Sequence, residues 1–154
     1  MKKIEIITGK IKAGKTTYLL NRLENMENVY GILQPVINGE RFFKDVKSKE
    51  KIQISSKTET KNTFKLGKYF FYYNAFTWAK EKLKTISEMD SGIIIIDEYG
   101  PLEFKYQGLE PVVTKIMKKE NLELIIIVRE LLVKDFLTKF KLSNEMVKIV
   151  TIKN

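Results

Sequence analysis

Apolar positions fall into two rhythms along the chain, short solid runs and runs spaced by three or four residues, and the two alternate. Ile4 to Thr8 is a compact run of strand length, whereas Leu19, Leu20, Leu23 and Met26 recur at helical spacing behind Lys15. Val29 to Leu33 reads as a second strand. In "PVINGERFFKDV", Asn38-Gly39 stands between two β-prone stretches, and that pair tolerates the positive φ angles of a type I′ turn, so a hairpin is predicted. From Asp45 to Asn62 only Val46, Ile52 and Ile54 interrupt a polar stretch, which reads as an exposed hairpin or a loop. "KLGKYFFYYN" suggests one further strand bounded by Gly67 and Asn74, with Asn74 capping a helix whose face is Phe76, Ala79, Leu83 and Ile86.

The second half is more regular. Gly92 precedes "IIIIDE", apolar on both faces and hence a central strand of a parallel sheet. Beyond an irregular turn, Pro111 can open a helix that aligns Leu109, Val112, Val113, Ile116 and Met117. "LELIIIVR" is another buried strand, Leu132, Val133, Phe136, Leu137 and Phe140 give it a following helix, and Val147 to Ile152 closes the sheet. Strands alternating with helices predict an α/β fold, with right-handed crossovers around a mainly parallel sheet. The chain carries no internal repeat. Its 154 residues suit a single domain, 1–154, with a β-rich insertion at about 34–73.

Composition narrows the function classes. No stretch approaches the roughly 18 apolar residues of a membrane span, and the basic start Met1-Lys2-Lys3 lacks a signal peptide's apolar region, so a cytoplasmic protein without a membrane partner is expected. The absence of cysteine excludes disulfides and thiolate metal sites. A net charge of +9 is compatible with nucleic acid, an anionic surface or polyphosphate, but Lys47, Lys49, Lys51, Lys57 and Lys61 are scattered among Glu50 and Glu59. The aromatic run Tyr69 to Tyr73 is read as sheet and core packing rather than a base-stacking platform.

Chemistry concentrates at two places. Gly9 to Thr16, "GKIKAGKT", satisfies G-x-x-x-x-G-K-[ST], which arises by chance in a chain of this length with a probability of about half a per cent. Between a strand and a helix, glycines let backbone N–H groups of Gly9, Lys10, Ile11, Lys12, Ala13, Gly14, Lys15, Thr16 and Thr17 face phosphate oxygens. Lys15 would neutralise the terminal phosphates, and the Thr16 hydroxyl would ligate Mg²⁺. Such a loop requires an acid at the end of a buried strand, and "IIIIDE" supplies Asp97 as the second metal residue. Glu98 is placed to orient and deprotonate an attacking water. Glu103 either braces its loop or touches ligand. Arg129, ending the next strand, either meets phosphate charge or pairs with Glu98, Glu103 or Glu130.

These motifs resemble the small P-loop nucleoside-triphosphatase family, of the cancer-related nucleoside-triphosphatase type, over nearly the whole chain. "TGKIKAGKTT" and "IIIIDEYGPLEF" are the most specific segments, with weaker echoes in "YGILQPVINGERFFKDV", "GKYFFYYNAF" and "ELIIIVRE". The resemblance implies a P-loop α/β fold and Mg²⁺-dependent hydrolysis of ATP, GTP and other nucleoside triphosphates. By it, Gly9 to Thr16 bind phosphate, Asp97 assists the metal and Glu98 activates water. One departure stands out: where the family usually has Pro and a further Gly, this chain has Lys10, Ile11 and Lys12, and a side chain at Lys12 restricts angles that glycine allows.

Two other functions remain open on the residues. A small-molecule kinase would share the phosphate apparatus, although Arg22, Arg41 and Arg129 are too few for an arginine-rich lid. A nucleotide-dependent module binding nucleic acid ranks last, because the lysines form no sequence stripe interleaved with aromatics. A monomer is expected, and base preference has no readable code.

Overall fold

The computed structural model describes residues 2–10 and 14–153. Strand β1 (Ile4–Gly9) leads into helix α1 (Lys15–Leu23), and β2 (Val29–Leu33) follows. Then come β3 (Val36–Ile37), β4 (Glu40–Asp45), β5 (Lys51–Gln53), β6 (Ser55–Ser56), β7 (Thr63–Leu66) and β8 (Tyr69–Tyr72). The rest alternates: α2 (Tyr73–Ser87), β9 (Gly92–Tyr99), α3 (Pro101–Phe104), α4 (Val112–Met117), β10 (Leu122–Val128), a 3₁₀ turn at Glu130–Leu132, α5 (Val133–Lys139) and β11 (Val147–Ile152).

The main sheet runs β11-β1-β10-β9-β2-β4-β3, with β5 on β4. Its first five strands are parallel, and β4, β3 and β5 extend it in antiparallel pairs. Alternation along the strands divides the core. Ile4, Ile6, Ile94, Ile96, Leu124 and Ile126 face α2, α4 and α5 through Ala79, Leu83, Val113, Ile116 and Phe136. Ile7, Ile95, Ile125 and Ile127 face α1 through Leu19. The solid apolar runs are thus strands buried on both faces, as parallel crossovers require. Leu20 turns outward instead of joining the α1 face.

The hairpin at Asn38-Gly39 forms with φ of 52° and 79° at those residues, the left-handed angles its turn needs. Of the two readings of the polar stretch after Asp45, the hairpin forms: β5 pairs antiparallel with β4 through Phe43↔Ile52, buried Ile54 helps to hold it, and β6 follows. One strand expectation in the insertion is corrected. "KLGKYFFYYN" is not one strand: it holds the end of β7, the Gly67-Lys68 turn and β8, which with β6 form a second sheet in the order β6-β8-β7. Asn74 does not cap α2. The helix begins one residue earlier and Tyr72 occupies the cap position, so Asn74 lies in the first turn. Within the aromatic run Phe71 and Tyr72 pack on the core, whereas Tyr69 and Tyr73 are more than half exposed. No helix among the described residues is long and apolar enough to cross a membrane.

Candidate functional site

The C-terminal edge of the parallel strands collects the chemistry-bearing residues. β1 delivers Gly9, and α1 starts at a Gly14 N-cap whose φ of 89° is a left-handed angle that glycine adopts without strain. A glycine cap brings no side chain to the first turn of α1, where Lys15 is buried, Thr16 half-buried and Thr17 exposed. The Lys15 ammonium turns back over the loop and donates to the carbonyls of Gly9 at 3.2 Å and Lys10 at 2.7 Å. It is thereby held beside the end of β1. Ile11, Lys12 and Ala13 lie outside the described residues, and with them the effect of Lys12 on the loop.

Strand order explains how the second half of the site meets the first. β10 lies between β1 and β9, so Asp97 stands two strands away from Gly9 and α1 reaches over to it. The Thr16 hydroxyl donates to Asp97 Oδ2 at 3.0 Å, and the backbone N–H of Gln34, just past β2, donates to the same oxygen at 3.0 Å. Asp97 is 3% exposed, and burial pushes its carboxyl up to about 6 against the lowering effect of the Gln34 and Thr16 bonds. The charge of Arg41, in the β3–β4 hairpin, acts in the lowering sense too.

Glu98 occupies a break in the ladder. Ile127 pairs with Asp97 but Val128 pairs with Tyr99, so β9 carries one residue more than β10 at this point. Such a bulge leaves its extra residue without a ladder partner and bends the strand. Side-chain phase changes across it: Ile95 belongs to the face under α1, whereas Tyr99 enters the opposite core beside Phe136. Glu98 at the switch pairs with Arg129, its Oε1 3.1 Å from Nε, and both side chains remain partly solvent-accessible. Of the alternatives open for Arg129, the ion pair with Glu98 is the one this structure forms.

Glu103 braces the loop. Its two carboxylate oxygens accept from Gly100 N–H and Leu109 N–H, each at 2.9 Å, and burial pushes its carboxyl up to about 7. A group with no motif completes the support. The Glu110 carboxylate accepts from the Tyr99 hydroxyl at 2.6 Å and from Thr114 N–H and Oγ1 at 2.8 Å. Burial, followed by Glu110, raises the Tyr99 phenol and keeps it protonated as the donor. The Lys139 ammonium stands 3.6 Å from Glu110 and donates to the Glu103 carbonyl at 3.1 Å. The rings of Tyr99, Phe104, Tyr106 and Phe140 surround it at 5.3 to 5.7 Å.

Gln34, Arg41, Glu110 and Lys139 are the residues that sequence reasoning did not single out. Only Arg41 carried a usable signal, its place two residues past a predicted hairpin turn; the others depend on long-range packing. For metal, the relevant donors are a threonine hydroxyl and a buried carboxylate, both hard oxygens. This set fits Mg²⁺, which keeps several waters and takes few protein ligands. Among the described residues no group of three or more His, Cys, Asp or Glu could form an all-protein cage.

The fold as a whole is shared with known structures. THEP1 from the hyperthermophile Aquifex aeolicus matches with a TM-score of 0.71 and 21% identity, covering 97% of this chain and 90% of that one. A human cancer-related nucleoside triphosphatase matches with a TM-score of 0.71 and 18% identity, over 97% of this chain and 88% of its own. No curated protein matches at a significant level. The family described as NTPase matches residues 5–154, and this chain, with its mostly parallel α/β sheet, belongs to that NTPase family.

Proposed function

We propose that the protein is a Mg²⁺-dependent nucleoside-triphosphate phosphohydrolase that releases nucleoside diphosphate and phosphate, with tolerance for the base. The observation that carries this reading is the meeting of Thr16 and Asp97 at 3.0 Å, with Glu98, which has no partner across the ladder, as the next residue. Gly9 to Thr17 cradle the phosphates, and Lys15 leaves its loop carbonyls for their oxygens. Thr16 and Asp97 would hold Mg²⁺, which supplies neutralisation of phosphate charge. Glu98 accepts a proton from water as the water oxygen bonds to the γ-phosphorus and the bond to the β–γ bridging oxygen breaks. Arg129 exchanges its Glu98 partner for a γ-phosphate oxygen, which frees the carboxylate for that role. The reading includes a monomer acting in the cytoplasm.

Glu98→Gln tests it directly. With Mg²⁺, phosphate release from each of the four nucleoside triphosphates should fall about 10²- to 10⁴-fold in the variant while nucleotide binding persists, and without Mg²⁺ the wild type itself should release little. Undiminished release would remove Glu98 from the role. Transfer of labelled phosphate from ATP to a pooled nucleoside, rather than to water, would make the protein a kinase instead.

A further inference from the structure

The insertion carries a surface that nucleotide hydrolysis does not use. In the β7–β8 ribbon, Leu66 pairs with Tyr69 and Phe64 with Phe71, which puts those residues on one face. Their rings continue in a row: Tyr69 to Phe71 at 6.3 Å, Phe71 to Phe64 at 5.8 Å, and Phe64 to Tyr73 at 4.8 Å. The two inner rings rest on Phe76, at 6.2 and 5.7 Å, and Phe76 rests edge-on against buried Phe43. The two outer rings are open, Tyr69 at 54% and Tyr73 at 58% exposure. A core-anchored row with exposed ends is a preorganised stacking platform rather than leftover apolar surface.

Charge singles out the same segment. Between Ser55 and Tyr73 stand Lys57, Lys61, Lys65 and Lys68, all exposed, against one acid, Glu59. Among the described residues none of these four forms an ion pair. Lys68 lies 5.6 Å over the Tyr69 ring, and the backbone of Asn62, next to Lys61, accepts from Tyr73 N–H at 3.0 Å. Lys68 thus lies over one open ring and Lys61 is one residue from the backbone that meets the other, whereas Lys65, which pairs with Phe70, lies on the opposite face of the ribbon. Topology also sets its place. α2 runs back against the sheet to enter β9 at Gly92, so its first residue, Tyr73, lies at the C-terminal edge that also carries Asp97.

We infer that the β6-β8-β7 sheet binds single-stranded nucleic acid, its lysines tracking phosphates and Tyr69 and Tyr73 stacking on bases. Open rings require bases free to leave their own stack, which a duplex does not offer. The inference stands apart from the hydrolysis reading, and neither tyrosine belongs to the phosphate site.

Fluorescence anisotropy with labelled 12-mers of uridylate and of deoxyuridylate, a duplex of equal length and anionic lipid vesicles tests it. Both single strands are expected to bind in preference to duplex, and a gap between them would show whether the 2′-hydroxyl contributes. Tyr69→Ala and Tyr73→Ala should each weaken binding about tenfold, with thermal midpoints near wild type because both rings are exposed. Lys61→Gln/Lys68→Gln should lower the slope of log affinity against log salt by about 1.4. Equal binding of duplex and single strand, affinity unchanged in the tyrosine variants, or binding to vesicles alone would overturn the inference.

Discussion

Replacing Lys139 by Met deletes the cation that, among the described residues, pairs with the fully buried carboxylate of Glu110. In Lys139→Met, Glu110 keeps three neutral donors, the Tyr99 hydroxyl and the two Thr114 groups, but loses the ammonium 3.6 Å away. Breaking one side of a buried pair costs about 3–5 kcal/mol. Because the Lys139 side chain is 24% exposed, the lower end applies, about 3 kcal/mol. Loss of the ammonium over four rings adds about 0.5–1 kcal/mol, since methionine retains the stem and its sulfur contacts. The total, about 3–4 kcal/mol, is a large share of the roughly 5–15 kcal/mol that holds a domain together. Urea denaturation at pH 7 measures it as a shift in midpoint at constant slope. A neutral amide has no need of the cation, so Lys139→Met/Glu110→Gln should recover about half of the loss or more. A single variant within about 1 kcal/mol of wild type, or a double variant no better than the single, would refute the charge argument.

Two further outcomes follow from the supports of the site. Gly31, with φ of 131°, lies where a Cβ would meet the Ile95 backbone N at 2.6 Å and its carbonyl oxygen closer still. Gly31→Ala should therefore cost about 3–5 kcal/mol of combined strain and overpacking by chemical denaturation, and a loss under about 1 kcal/mol would contradict the close β2–β9 approach. The second concerns Glu103, which faces Glu98 at a distance, shares its loop with Glu110 and receives a hydrogen bond on its carbonyl from Lys139 at the end of α5. Its native carboxyl titrates at about 7 and the free one at 4.5, so the folded state holds the proton more tightly. Stability from this group is complete below pH 4.5 and lost as pH rises through 7, by at most about 3 kcal/mol. Thermal midpoints from pH 5 to 8 should fall in wild type and fall less in Glu103→Gln, where the raised carboxyl of Asp97 still contributes between pH 5 and about 6; parallel profiles would exclude the assignment.

Local chemistry with a short reach was legible in the sequence. "GKIKAGKTT" and "IIIIDE" each encode a strand end and a polar function within a few residues, and Asn38-Gly39 encodes its own turn angles. What escaped depends on distant partners. Tyr99, Glu110 and Lys139 meet through β9, the approach to α4 and the end of α5, and no period in the sequence links them. β7 was hidden because Gly67-Lys68 sits inside an aromatic stretch that reads as continuous. Asn74 has the chemistry of a cap, but β8 runs directly into α2 and Tyr72 takes the place. Lys61 and Lys68 look unrelated to the aromatic run in the sequence, because it is the β7–β8 ribbon that folds their segments together.

The bulge at Glu98 has a consequence for how this site can change over time. Because residue 98 has no partner across the ladder, side chains can be exchanged there without disturbing the isoleucine pairs that precede it. Chemistry at the strand end is thereby uncoupled from the register of the core, and selection can vary the first while the second stays fixed. Were residue 98 instead drawn into the ladder as an ordinary strand position, Tyr99 would fall in phase with Asp97 and its ring would turn from the Phe136 side toward α1. Exchange of the side chain at this position leaves the core in place; closing the bulge around it would not.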